Sequence, residues 1–367
     1  MFKYLKFSLF YALSILAIAA VLFGQWWLVL AYILSTSFII GGDAIFGDDV
    51  TQPSYGHAKL FKLQLWFALP LLLTLLLVSI WSVAKSDIFG IGAGLSQLFD
   101  YNFNQAKENT LWWQHLFGAF YVGLMISMIG TVVAHELVHR VNDKTSVLIG
   151  RWLLAASFDS NFSIEHVYGH HRYVATSKDP ATAPRGRNVY QHIVISTLQG
   201  NISAWNIEKT RLNRRNFAVL SWHNTYIRGV MMSISMLICA YLLAGGMAVL
   251  YVCFVAFWAK ALLEIVNYME HYGLVRHANQ AVAPRHSWNT NKKISSWTMF
   301  NLTRHSHHHA QGHVPFHQLR PYQDSPMMLN GYLGTIALTL IPSLWFKLMK
   351  PKLEHWDQHY ATEQERE

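Results

Sequence analysis

Long apolar runs alternating with polar, histidine-bearing segments give this chain its pattern, with runs over residues 7–24, 26–47, 63–84, 111–134, 229–244 and 247–270. Most reach the roughly 20 residues a helix needs to cross hydrocarbon, and Gly245-Gly246 divides the last two into an expected helical hairpin. The pattern therefore predicts an all-α membrane protein with six transmembrane helices. Residues 135–228 and 271–367 form a polar cap, and residues 1–367 make one domain with no internal repeat and no long low-complexity linker. The first run follows Lys3 and Lys6 and ends near Ala19-Ala20, which has the form of a cleaved signal peptide; the next run begins at Trp26, which favours an uncleaved pair of helices. A late apolar stretch, 327–346, is broken by Gly331, Gly334 and Pro342 and followed by Lys347, Lys350 and Lys352. It is expected to lie at the interface or re-enter rather than cross.

The distribution of charge orients these helices. With the N-terminus inside, the outer loops hold Lys85 and Lys107, diluted by Asp87, Asp100 and Glu108. The inner segments hold Arg140, Arg172, Arg185, Arg187, Arg211, Arg214, Arg215, Arg276, Lys292 and Lys293. Both termini and the cap are thus expected on the cytoplasmic side. The composition agrees: 52% hydrophobic and only 13% charged, about half the charge of a soluble domain. A net charge of +9 follows from positive-inside loops, and no nucleic-acid motif accompanies it, so no nucleic-acid partner is expected. Cys239 and Cys253 sit in apolar runs without partner spacing, which leaves no disulfide framework and no thiolate metal site.

Twenty histidines are more than packing calls for. His135 and His139, in HELVH, stand at i and i+4 on a helix extending the fourth run, so one face carries both. In EHVYGHH, His166 and His170 are again i and i+4, while His171 points about 100° away; neighbours aimed in different directions can serve two metals. RHSHHHA repeats the logic with His305, His308 and His309, and His271 lies where the sixth run meets the cap. Nine imidazoles from four segments exceed what one ion takes, so a di-metal site is predicted in the histidine-rich cap. Imidazole suits iron, zinc, copper and nickel, and the number of ligands and the membrane setting favour a redox pair.

Other histidines read as ordinary. His115 precedes His135 by about 30 Å of helix and belongs to the opposite membrane face. His57, His192, His223, His277, His286, His355 and His359 lack ligand spacing, and His307, His313 and His317 are left out of the ligand set. HELVH also satisfies H-E-x-x-H, the zinc protease signature, but a hydrolytic zinc needs three protein ligands, which would leave six histidines unexplained.

Taken together, HELVHR, EHVYGHHRYVATSKDPATA, NYMEHYGLVR and LTRHSHHHA resemble, in order and spacing, the four motifs of the integral membrane alkane 1-monooxygenases. NYMEHYGL is the most telling, since the wider membrane desaturase and hydroxylase superfamily shares three histidine boxes but not that one. The likeness extends from about residue 130 onward and includes Gly331-Tyr332 and IPSLWFKLMKP; KPKLEHWDQHYAT also resembles the hydroxylase component of xylene monooxygenase. Three departures stand out: His307 where the family usually has Asp, Gln311-Gly312 where His and Pro are common, and Leu329-Asn330 before Gly331-Tyr332. None removes a proposed ligand.

The resemblance implies a non-haem di-iron centre, O2 as co-substrate, and hydroxylation of the terminal methyl of an alkane or alkyl chain, with no catalytic residue beyond the metal ligands. Xylene-type methyl hydroxylation and acyl-lipid desaturation remain alternatives, with a membrane zinc protease as a distant one. Since the chain has no flavin or dinucleotide motif, the resemblance further implies rubredoxin or ferredoxin and its NAD(P)H reductase as electron source. Arg211, Arg214 and Arg215 offer an acidic carrier a docking surface, and ordinary positive-inside loops account for them equally well. Glu136, Asp159, Glu165, Glu264 and Glu270 are candidates to orient ligating imidazoles, because metal-bound histidines donate their other N–H to a carboxylate or carbonyl. Lys260 and Glu264, i and i+4, can instead neutralise each other. Trp66, Phe67, Trp112 and Phe120 are open between a substrate channel and the lipid face.

Overall fold

The computed structural model describes residues 2–366; among them there is no β-strand, and isolated bridges pair Asp48 with Lys292 and Asn289 with Met327. The helices that organise the molecule are α1 (Ser8–Phe23), α2 (Trp26–Phe46), α3 (Ala58–Val83), α4 (Trp112–Val138), α5 (Lys144–Ala155), α6 (Val189–Asn213), α7 (Thr225–His271), α8 (His305–Ala310), α9 (Tyr332–Thr339) and α10 (Pro342–His359). α2, α3, α4 and α7 are long and apolar enough to cross a membrane, whereas α1 is a shorter apolar helix of 16 residues. In hydrocarbon the backbone must satisfy its own hydrogen bonds, and a run of apolar side chains can do so only as helix or closed barrel.

α7 has 47 residues, which as a straight helix would measure about 70 Å. It is bent back at Ala244 (φ −147°) and Gly245 (φ 72°, ψ −162°), a left-handed backbone that glycine adopts without a Cβ penalty. Contacts establish the reversal. A Cβ on Gly229 would lie 2.7 Å from Ser160, and Lys260, 31 residues on, reaches the neighbouring Asp159 at 2.8 Å. The expected hairpin at Gly245-Gly246 is therefore present.

The returning half of α7 crosses α4 closely. A Cβ on Gly123 would stand 2.6 Å from Trp258 and 3.0 Å from the Val255 carbonyl, so only glycine permits this approach. Leu72, Tyr121, Met125, Ile129, Val133 and Val255 form the fully buried centre of the bundle, while Leu34, Phe67, Leu73, Leu242 and Leu250 face outward, an apolar belt of the kind that lipid covers. Phe67 and Trp112 are among the outward residues; Trp66 donates to Ser146 Oγ, and Phe120 packs edge-on against Phe254 and Trp258.

The late apolar stretch is not one straight helix: α9 and α10 meet at 118° where Pro342 opens α10. A buried polar knot ties the loop after α2 to the segment carrying α8. Asp49 accepts from Lys6 Nζ (2.9 Å) and Trp297 Nε1 (2.7 Å), and Arg304, fully buried, donates to the Asp49 and Leu319 carbonyls (2.8 and 2.7 Å). Burial opposes the Asp49 charge, but the hydrogen bonds from Thr51, Trp297 and Lys6 outweigh it and hold the carboxyl well below its usual range.

Candidate metal centre

α4 is interrupted by a π-helical turn over Ser127–Val132 before the Val133–Val138 turn that carries His135. The second histidine segment is built the same way: Phe162–Glu165, a π-helical turn over His166–His170, then His171–Tyr173. In an α-helix His171 would lie about 140° round the axis from His166. A π-turn closes its hydrogen bonds one residue later, so i+5 comes round to where i+4 would stand.

The outcome is a partition of the nine predicted histidines into two groups. His135, His139, His166, His171 and His308 form one; His170, His271, His305 and His309 form the other, with the candidate ligand atoms of each lying within 4.8 Å of one another. His166 therefore groups with His171 and not with His170, which departs from the α-helical expectation, and the π-turn is the reason. His305 and His309, i and i+4 on α8, stay together while His308 turns to the other group.

Within the first group His166 Nε2 lies 3.1 Å from both His139 Nε2 and His171 Nε2, and His308 Nε2 lies 3.0 Å from His171 Nε2. In the second, His170 Nε2 to His309 Nε2 and His305 Nε2 to His271 Nε2 are each 3.2 Å. A neutral imidazole has one N–H, so these chains of nitrogens cannot be satisfied by hydrogen bonds alone. Their spacing matches the edge of a coordination polyhedron, about 3.0 Å for bonds of roughly 2.1 Å at right angles. His135 Nε2 is buried with no hydrogen-bond partner among the described residues. Burial, and then the neighbouring imidazoles, push His166, His171, His305, His308 and His309 well below their usual range, so they are neutral, as a metal ligand must be. The residues thus fit two metal ions, and an all-imidazole donor set suits iron, copper, zinc or nickel.

Other ring nitrogens are held by the protein. His170 Nδ1 donates to Asp179 at 2.9 Å, and His271 Nδ1 donates to the His286 carbonyl at 3.3 Å. Burial works against both charges of the first pair, yet the interaction prevails: His170 is held above its usual range and Asp179 below. Asp179 lies inside the quoted ATSKDPATA stretch, but at nine residues from His170 across a turn it has no helical spacing to reveal it.

Among the carboxylates proposed from sequence, Glu270 lies 3.2 Å from His305 Nε2 and accepts from the Tyr332 hydroxyl. Glu165 accepts from Ser203 Oγ (3.3 Å), and burial, followed by the charge of Asp179, raises its carboxyl to about 8. Glu136 faces Arg140 and the Phe316 N–H. Asp159 and Glu264 flank Lys260 at 2.8 and 2.6 Å, so Lys260 and Glu264 do neutralise each other, with Asp159 as a third member. His307 accepts from the Arg320 N–H at 2.7 Å, His317 stacks on Phe61, and neither they nor His313 and His115 belong to a histidine group.

An apolar cavity opens beneath the groups. His135, His166, His305 and Glu270 close its polar end, and Leu124, Met128 and Val132 line it down one face of α4, about 16 Å from Leu124 to His135. Thr131 also lines it, and its buried hydroxyl has no partner among the described residues, whereas the helical Thr36, Thr74, Thr210 and Thr298 each donate to the carbonyl four residues earlier.

The fatty acid desaturase family model matches residues 110–339. Alkane 1-monooxygenase 1 of Pseudomonas aeruginosa is 37% identical over 248 residues, which is 66% of this chain and 64% of that protein. Alkane 1-monooxygenase 2 of the same organism is 31% identical over 353 residues, 92% of this chain and 86% of that protein. The xylene/toluene monooxygenase hydroxylase component of Pseudomonas putida is 34% identical over 244 residues, 64% of this chain and 63% of that protein. The first and last matches thus span slightly less than two thirds of the relative's length, and the second spans most of it.

Proposed function

The chain belongs to the fatty acid desaturase family and, within it, to the group of the alkane 1-monooxygenases, and on that premise we propose that it hydroxylates the terminal methyl of an alkane or alkyl chain. The observation that carries this reading is the position of the two histidine groups at the polar end of an apolar cavity. His135, His139, His166, His171 and His308 would hold one iron and His170, His271, His305 and His309 the other. When bound, the pair supplies the O2-activating redox chemistry that no side chain can provide.

The chain's own contribution is positional. The α4 face from Leu124 to Val132 aligns an extended chain with its end at the histidines, and the apolar lining excludes the water that would compete for a strong oxidant. Asp179 and the His286 carbonyl fix the rings of His170 and His271. A hydrocarbon partitions into lipid, which gives a physical reason to open the cavity from the membrane. In this reading α1, α2, α3, α4 and the two halves of α7 are six spans, the cap and both termini face the cytoplasm across a bacterial inner membrane, and rubredoxin or ferredoxin with its NAD(P)H reductase delivers two electrons per turnover. A zinc protease fits less well, because Glu136, its required base, is engaged by Arg140 and the Phe316 N–H.

The test is metal content of the purified chain together with gas chromatography of products from octane and p-xylene, supplied with O2 and a reducing system. Two irons per chain with 1-octanol would support the reading. Iron with only the benzylic alcohol would move it to the xylene branch, and one zinc with no oxygenated product would overturn it.

A further inference from the structure

Away from the histidines, a groove where α5, α6 and the start of α7 meet gathers Arg151, Arg172, Arg211, Arg214, Arg215 and Arg228 around, among the described residues, a single carboxylate, Glu208. That carboxylate is already committed: it accepts from Arg211 Nε at 2.7 Å and from the Thr225 N–H at 2.5 Å. Arg151, only 6% exposed, donates to the Thr225 carbonyl at 2.6 Å, and Arg228 donates to the Thr225 hydroxyl at 3.2 Å. Both guanidiniums retain a buried Nε with no hydrogen-bond partner among the described residues. Burial, and then the charge of Arg228, lower the Arg151 guanidinium to about 10. Two adjacent cations with unused donors and no free carboxylate are costly unless an anion sits between them.

The shape of the donors and the position of the groove identify that anion. A guanidinium fork matches phosphate oxygens two at a time. Arg228 immediately precedes the apolar run of α7, and Val138, Val141 and Val147 line the same groove, so charge and apolar surface meet at the level of a helix end. A basic pocket there fits a lipid headgroup with its acyl chains beside it. We infer that the groove between Arg151 and Arg228 binds the headgroup phosphate of an anionic membrane phospholipid. The inference rests on the chain being a membrane protein and is independent of the chemistry at the histidines.

The test uses the metal-loaded full chain in detergent, titrated with dioleoyl phosphatidylglycerol, dioleoyl phosphatidylcholine or inorganic phosphate. Binding is read by native mass spectrometry and by the melting temperature from tryptophan fluorescence. The expected result is retention of phosphatidylglycerol with at least about ten-fold preference over phosphatidylcholine, the size of one charge-assisted hydrogen bond. Arg228→Gln should remove that preference, while Lys347→Gln, an equal charge change at an exposed site on α10, should keep it. If Arg228→Gln does not fold, Arg214→Gln on the exposed rim should weaken phosphatidylglycerol binding alone. Equal binding of the two lipids, full stabilisation by inorganic phosphate, or unchanged lipid binding in every arginine variant would overturn the inference. So would an acidic electron carrier whose binding, and not that of lipid, is lost in Arg228→Gln. Metal content, measured in the same samples, separates this outcome from a failure of the hydroxylase reading.

Discussion

His170 Nδ1 donates to Asp179 at 2.9 Å, and both side chains are sealed from solvent. This contact orients the ring whose Nε2 faces His309, and it makes Asp179 a positioning residue for the four-histidine group. Asp179→Asn keeps the size but loses the charge, and removing such a partner typically weakens metal binding about 10- to 100-fold. The variant should lose metal at a chelator concentration the wild type withstands, read by elemental analysis and by the absorption of the oxidised centre. Metal retention equal to wild type would remove Asp179 from this role.

Thr131 leads to a stability prediction of unusual sign. Its hydroxyl is buried, lines the cavity and has no partner, and a buried unsatisfied group costs roughly 1–3 kcal/mol. Thr131→Val, nearly the same shape, should leave the melting temperature unchanged or raise it. A clear fall would reveal a partner for the hydroxyl, and no change in metal content is expected.

The crossing of α4 and α7 at Gly123 should tolerate no side chain. With a Cβ 2.6 Å from Trp258 and 3.0 Å from a backbone oxygen, Gly123→Ala forces the helices apart and should cost about 1–3 kcal/mol. Gly200→Ala on α6, where a Cβ would meet nothing within 4 Å, should instead stabilise by up to about 1 kcal/mol through helix propensity. Opposite shifts in melting temperature for the two variants are the check.

Acid should release the C-terminus first. Glu365 accepts from Arg285 (3.1 Å), His286 Nε2 (2.8 Å) and the Thr362 N–H (2.9 Å). Burial alone would raise its carboxyl, but these partners win and lower it to about 2 from 4.5. A folded value below the unfolded one means the stabilisation is complete above about pH 4.5 and fades as pH falls toward 2. Amide-exchange protection of residues 360–366 should drop across that window in the wild type. In Glu365→Gln it should be low and flat throughout, and parallel curves would refute this role of Glu365.

Local periodicity made much of this protein legible. Apolar runs of helix length, the Gly245-Gly246 reversal, and histidines at i and i+4 in HELVH and RHSHHHA are properties of short windows, and each reappears at the expected place. Adjacent histidines aimed apart were likewise enough to anticipate two groups. Helical geometry is set by the backbone itself, so the sequence determines it wherever the helix is regular.

Where the helix is irregular or the partner is distant, tertiary structure decided. The π-turn at His166–His170 moved His171, instead of His170, to the side of His166, and no residue pattern announces such a turn. The pairing of His170 with Asp179, the His286 carbonyl on His271, and the meeting of Arg151 with Arg228 across 77 positions arise only when packed segments converge. The reason is physical: a side chain's direction along its own helix is local, but what it meets there depends on which other segment the buried core draws alongside it.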